Sequence, residues 1–206
     1  MVSTMLVLIL IITSVFALPR TSSCSIAVAT FDGTGGVSGE IEIDEDGRVN
    51  VDLNVGGLDG SQCEDGGYEF AYHIHTLWEY DDLTPRFGSD ACGSAYTGGH
   101  FNPYGVQTCV AAAAAGEEVD YYNCEIGDLS GRDGNLRRGY NDGSIDTTFT
   151  VATGCKGCDA RLTPEAVYGR SVVFHCNDGS RLFCAPFDLQ VYDRNNFKVK
   201  KNKRKN

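Results

Sequence analysis

The sequence predicts an all-β fold, and three observations carry that prediction. Its 25 glycines recur in Asp-Gly, Gly-Gly and Asn-Asp-Gly clusters, the punctuation of short strands joined by tight turns. Apolar residues alternate with polar ones over several short runs, which is the period of a strand with one buried and one wet face. Helical periodicity is nearly absent. The alanine-rich run from Cys109 to Gly116 offers a turn or two, but between Cys109 and Cys124 it reads better as part of a long loop closed by a disulfide.

In chain order, Ser25–Phe31 is the first predicted strand. In "GGVSGEIEIDEDGRVNVDLNVGGL" the positions Val37, Gly39, Ile41 and Ile43 alternate with polar residues, as do Val49, Val51, Leu53 and Val55. Asp44-Glu45-Asp46-Gly47 lies between the two runs, so the segment reads as a hairpin. Glu69–Thr76, Asp146–Ala152, Arg170–Cys176 and Phe187–Tyr192 are the remaining strands, all within one domain over about residues 21–192.

The flanks differ from this body. Residues 1–17 are apolar and uncharged, the run Leu6 to Ile12 is too short to span a bilayer comfortably, and Val15-Phe16-Ala17 suits cleavage. The segment is read as a secretory signal peptide, despite lacking a Lys or Arg near its start. Nine cysteines in an exported chain imply an oxidising compartment and several disulfides, and the odd number leaves one outside intrachain pairing. No Asn-x-Ser/Thr sequon occurs. The net charge is −11, yet the last nine residues hold six cations (Lys198, Lys200, Lys201, Lys203, Arg204, Lys205) and no acid, which leaves −17 on the rest. Such a body excludes nucleic acid as a partner. Residues 193–206 are expected to be a disordered basic tail, able to meet an anionic glycan or cell surface.

The chain has four histidines, and each sits on or beside a strand end. In "EFAYHIHT", His73 and His75 project from one strand face about 7 Å apart. His100 follows a glycine pair in "TGGHFNPYG", where close backbone approach is allowed and Asn-Pro turns the chain. His175 ends the apolar strand "SVVFHC". Imidazoles alone suit copper, zinc, iron or nickel, and a tetragonal set of four nitrogens favours Cu(II).

Taken in order, "HIHT", "GGHFNP", "CEIGDLSGRDGNL", "SVVFHC" and "DGSRLFC" resemble the copper/zinc superoxide dismutases over about residues 36–187. The resemblance implies an eight-stranded Greek-key β-barrel, with copper held by His73, His75, His100 and His175. It implies that Arg181 guides superoxide to the metal and that Cys92 and Cys184 form a disulfide tethering a loop to the barrel. Two of the family's zinc histidines have no counterpart here, and only Cys176–Ser180 separate His175 from Arg181. These departures look like the secreted copper-only branch, without zinc. There Asp128 is expected to hold His100 in place of zinc, and Glu125 to orient that ligand or relay protons. His100 is the ligand expected to leave copper on reduction and return with a proton. Arg161 and Arg170 could add positive potential, but nothing in the sequence places them.

Other readings fit less of the chain. "GYEFAYHIHTLWE" matches the first part of a cupin metal signature, but no Pro-x-Gly-x-x-His element follows. Cys155-Lys156-Gly157-Cys158 has the spacing of a redox or zinc motif without a second pair. The alternative of another class is a dismutase-like protein without turnover that binds copper or anchors to matrix.

Overall fold

The computed structural model describes residues 23–58, 63, 69–109, 124–139, 144–150, 162–193 and 199–201. Residues 1–17, the alanine-rich run, Cys155, Cys158, Arg161, Lys198, Lys203, Arg204 and Lys205 lie outside the described residues. Among the described residues no helix is long and apolar enough to cross a membrane.

Ten strands form one antiparallel sheet: β1 (Ser23–Asp32), β2 (Ser38–Asp44), β3 (Arg48–Asn54), β4 (Glu69–His75), β5 (Arg86–Phe87), β6 (Leu136–Arg137), β7 (Ser144–Thr150), β8 (Ser171–His175), β9 (Arg181–Asp193) and β10 (Val199–Lys201). Eight lie in the order β6-β4-β8-β9-β1-β2-β3-β7 and curl into a nearly closed barrel. The two ends approach where Gly139 N–H donates to Ser144 O at 2.8 Å. Neither β3 and β4 nor β7 and β8 are neighbours, so these connections cross between sheets as in a Greek key. Among the described residues three short α-helices, α1 (Ser94–Thr97), α2 (Leu129–Asp133) and α3 (Pro164–Val167), sit in the loops.

The β2–β3 hairpin forms where alternation places it. Ile41 pairs with Val51 and Ile43 with Val49, and all four are fully buried. The Asp44 carboxylate accepts the N–H groups of Asp46 and Arg48 at 2.9 Å each, which closes the turn. At the barrel centre Phe174 stacks on Phe183 at 4.1 Å, and Phe31 meets both rings edge-on.

Two features depart from the expectations. Besides the eight barrel strands, β5 and β10 each pair with β9. The basic tail is not wholly irregular either: Asp193 ends β9, and Val199, Lys200 and Lys201 pair with Tyr192, Val191 and Gln190. Those positions of β9 lie beyond the part that β8 covers, so their backbone groups on that edge are available for a further strand.

Replacing Phe174 by Ala removes a fully buried ring at the centre of this cluster. We expect a loss of about 3–5 kcal/mol, measured as a lowered midpoint in urea unfolding of the purified chain.

Candidate metal centre

On β4, Phe70, Tyr72 and Ile74 enter the core, so alternation turns Ala71, His73 and His75 to the outer face of the barrel. β8 runs beside it with Ala71 opposite His175 and His73 opposite Val173. His175 therefore lies diagonal to His73 on that same face. His100 arrives from the loop, which runs back along the end of β4. His75 and His100 form an isolated bridge, flanked by Thr76 N–H to Gly99 O at 2.9 Å and Phe101 N–H to Ile74 O at 2.7 Å. The close approach depends on Gly98, whose φ is +72° and where a Cβ would collide with Thr76 Oγ1.

Four imidazoles thus meet, with ring centroids from 4.0 Å (His73–His100) to 6.4 Å (His100–His175). One ring nitrogen of each lies within 4.8 Å of the others. Two nitrogens on opposite sides of one ion at ~2 Å are ~4 Å apart, so a small inward movement of each ring suffices for a shared ion.

The hydrogen bonds indicate which nitrogens face one another. His75 Nδ1 donates to Gly98 O at 3.0 Å and His175 Nδ1 to Gly179 O at 3.1 Å. His100 Nδ1 lies 2.8 Å from Glu125 Oε2. His73 is reversed: its Nε2 lies 3.1 Å from Ser130 Oγ and 3.3 Å from Asp128 Oδ1. Its Nδ1 is buried with no hydrogen-bond partner. The nitrogens not engaged outward are His73 Nδ1 and the Nε2 atoms of His75, His100 and His175, and two of these already stand 3.4 Å apart. An orphaned buried nitrogen beside three others is a site suited to a cation with a preference for imidazole.

Burial drives the pKa of His75 down to about 2 and that of His175 to about 4, with the charge of Arg181 a further cause in both. Both rings are therefore neutral at ordinary pH, as metal ligation requires. Burial alone would raise Asp128. Hydrogen bonds from His73 and from the N–H groups of Gly131 and Cys109 outweigh it and hold the carboxyl below its usual range.

The two carboxylates divide differently from the sequence expectation. Asp128 does not hold His100; it sits against His73, because Gly131 N–H (2.9 Å) and Cys109 N–H (3.0 Å) fix its oxygens there. Glu125 is the acceptor for His100, and its second oxygen takes a bond from Asn102 Nδ2 at 3.1 Å. Ser130, beside His73, is a contact that sequence reasoning missed; its only signal was its place in "GDLSG". Arg181 Nη1 donates to Cys92 O (2.9 Å) and Thr97 Oγ1 (2.7 Å), and its Nη2 to Gly98 O (3.0 Å). Arg170 is engaged in structure: it bonds Ala166 O and Thr76 O and stacks on the Phe101 ring at 4.0 Å.

Among the described residues three disulfides frame the site: Cys92–Cys184, Cys109–Cys124 and Cys63–Cys176. Beyond the histidines a cleft of about 490 Å³ reaches the surface, walled in part by Ser130, Asn135, Asn177 and Gly179. The hairpin between His175 and Arg181 is short, held by Cys176 N–H to Ser180 O and Gly179 N–H to Cys176 O at 2.9 Å each.

The fold and the four imidazoles together define an antiparallel β-barrel with a cluster of four histidines on its outer face that could hold a metal ion. No protein-family model matches the chain. Its homologues are cell-surface proteins of Candida albicans. Cell surface Cu-only superoxide dismutase 5 is 29% identical over 143 residues, covering 69% of this chain and 50% of the relative. Cell surface superoxide dismutase [Cu-Zn] 4 is 29% identical over 139 residues, covering 68% and 47%. The chain thus spans about half the length of the curated relatives it matches. Among solved structures, Candida albicans superoxide dismutase 5 in its Cu(II) form superposes with a TM-score of 0.50 at 27% identity, over 80% of this chain and 91% of that one.

Depressed histidine pKa values make a prediction about acid. Below the unfolded value near 6.5, the unfolded chain binds protons that folded His75 and His175 refuse. Stability is therefore full above pH 6.5 and falls as pH drops toward 4. Between pH 7.5 and 5 the chelator-treated protein should lose roughly 2 kcal/mol per ring, read from urea midpoints at the two pH values.

Proposed function

We propose that the chain is an extracellular, copper-only superoxide dismutase that converts superoxide to dioxygen and hydrogen peroxide. The observation that carries this reading is the arrangement of eight ring nitrogens. Four are turned outward to protein acceptors, and four converge, one of them buried without a partner. His73 would hold the metal through Nδ1, and His75, His100 and His175 through Nε2.

Copper, when bound, supplies the one-electron chemistry by alternating between two oxidation states. The chain supplies position, charge and protons. Gly98 O and Gly179 O keep Nδ1 of His75 and His175 protonated, so that Nε2 remains a lone-pair donor. His100 Nε2 is the atom that takes up a proton in one half of the cycle and yields it in the other. Glu125, itself held by Asn102, keeps the ring aligned in both halves. Arg181 is fixed by three hydrogen bonds and offers an anion a positive charge that does not need to reorganise.

Absence of zinc is part of the proposal. The outer nitrogen of His100, where a second ion would sit, is occupied by Glu125. Among the described residues the four histidines are the sole group of three or more metal-binding side chains. A location outside the cell follows from the names of the homologues and from the apolar first segment. The basic tail would add attraction to an anionic surface such as a sulfated glycan.

The purified chain should bind one copper per molecule and no zinc, measured by elemental analysis, and should accelerate superoxide loss. His175→Ala should lose the copper. Arg181→Ala should keep copper and turn over about tenfold more slowly at low salt, the scale of electrostatic steering. Stoichiometric zinc would end the copper-only reading. Bound copper without turnover would move the assignment to a storage or anchoring protein.

A further inference from the structure

Among the described residues, the cleft that leads from solvent to the histidines presents no positive side chain. Among the described residues its lining contains no lysine or arginine, and Arg181 is not part of it. An anion entering by this route meets neutral groups, with the Asp128 carboxylate beneath them. That carboxylate accepts hydrogen bonds from Gly131 N–H and Cys109 N–H, so its charge is largely satisfied inward.

Ser130 stands apart among the neutral groups. It is the first residue but one of α2, only 9% exposed, and it lines the cleft beside His73. Its Oγ lies 3.1 Å from His73 Nε2, nearer than Asp128 Oδ1 at 3.3 Å. If His73 engages a metal through the buried Nδ1, the ring must carry its proton on Nε2. Ser130 Oγ then accepts that proton's bond. A hydroxyl has one donor besides its lone pairs, and the bond to His73 is the only one Ser130 Oγ makes among the described residues. Its O–H is then free to donate to a group in the cleft that Ser130 lines, strengthened by the bond it accepts.

We propose that Ser130 is an anion-contact residue: its hydroxyl donates a hydrogen bond to a small anion in the cleft while accepting one from His73 Nε2. Unlike Arg181, whose guanidinium is held on Cys92 O, Thr97 Oγ1 and Gly98 O outside this lining, it would meet the anion as a neutral donor within the cleft. The inference rests on the copper-dismutase reading and adds to it a residue that touches substrate.

Azide is a suitable probe, titrated by absorption into the copper-loaded wild type and the variants Ser130→Ala and Ser130→Thr. Loss of one hydrogen bond to an anion should weaken azide about threefold to twentyfold in Ser130→Ala, with copper content and the Cu(II) paramagnetic spectrum unchanged. Ser130→Thr keeps the hydroxyl and should return affinity to within about twofold. Azide affinity unchanged in Ser130→Ala, or equally weak in both variants, would overturn the assignment. So would weakening that appears only with an altered Cu(II) spectrum, since Ser130 would then act through His73 alone. Wild-type protein that takes up no copper would overturn the dismutase reading itself, and this inference with it. Normal wild-type copper and turnover beside unchanged azide binding would overturn only the role of Ser130.

Discussion

The carbonyl oxygen of Gly98 accepts two hydrogen bonds, from His75 Nδ1 and Arg181 Nη2, each at 3.0 Å, and the geometry of the site depends on both. His75 is fully buried, so its N–H needs an acceptor on pain of a desolvation cost of about 1–3 kcal/mol. The peptide that supplies it must turn at a positive φ against Thr76, which only glycine does without strain. One peptide plane therefore sets the direction of a candidate ligand and the position of the nearby cation together. His175, the other deeply buried ring, likewise leans on a backbone carbonyl, whereas the shallower His73 and His100 lean on side chains that include carboxylates.

The loops that complete the site contain little regular structure, and disulfides do for them what ladders do for strands. Cys63–Cys176 and Cys92–Cys184 close separations of 113 and 92 residues, against 15 for Cys109–Cys124. On loop-closure entropy the two long bridges contribute between about 4 and 5 kcal/mol each and the short one about 3. Their placement separates them further. Cys176 follows His175, and Cys92–Cys184 packs under Trp78 and Val173 beside the carbonyl that Arg181 grips. The short bridge is local: Cys109 N–H binds Asp128, and Cys124 precedes Glu125, whose N–H bonds Gln107 O at 3.0 Å. It fixes which carboxylate reaches which ring.

That assignment shows where sequence reading ends. The hairpin of β2 and β3 is legible because alternation and turn chemistry agree within twenty residues, and the histidines are legible because spacing on a strand fixes their face. Glu125 and Asp128 lie three apart in a loop with no period, so their orientation depends on distant partners, Asn102 for one and Cys109 for the other. The same reason hides β5 and β6, two residues each, which exist only through pairing across the sheet. The pairing of Cys63 with Cys176 belongs to that category too. For β10 the composition misled: lysines suggest a solvated end, yet the edge of β9 accepts their backbone.

Fold also answers the difficulty that an acidic body poses for an anion approaching the histidines. Register places Glu40 opposite Asp52 and Asp52 opposite Asp146, a row of exposed carboxylates across β2, β3 and β7. In the ring of eight strands β2 and β3 stand across the barrel from β4 and β8, which carry three of the four histidines. Facing sheets are separated by about 10 Å, and both groups project outward from them, so the row lies well beyond the ~8 Å Debye length at physiological salt. The field an anion meets at the site is then set by Arg181, any bound cation and the two inward-bonded carboxylates. The net charge of the whole chain is a poor guide to that field.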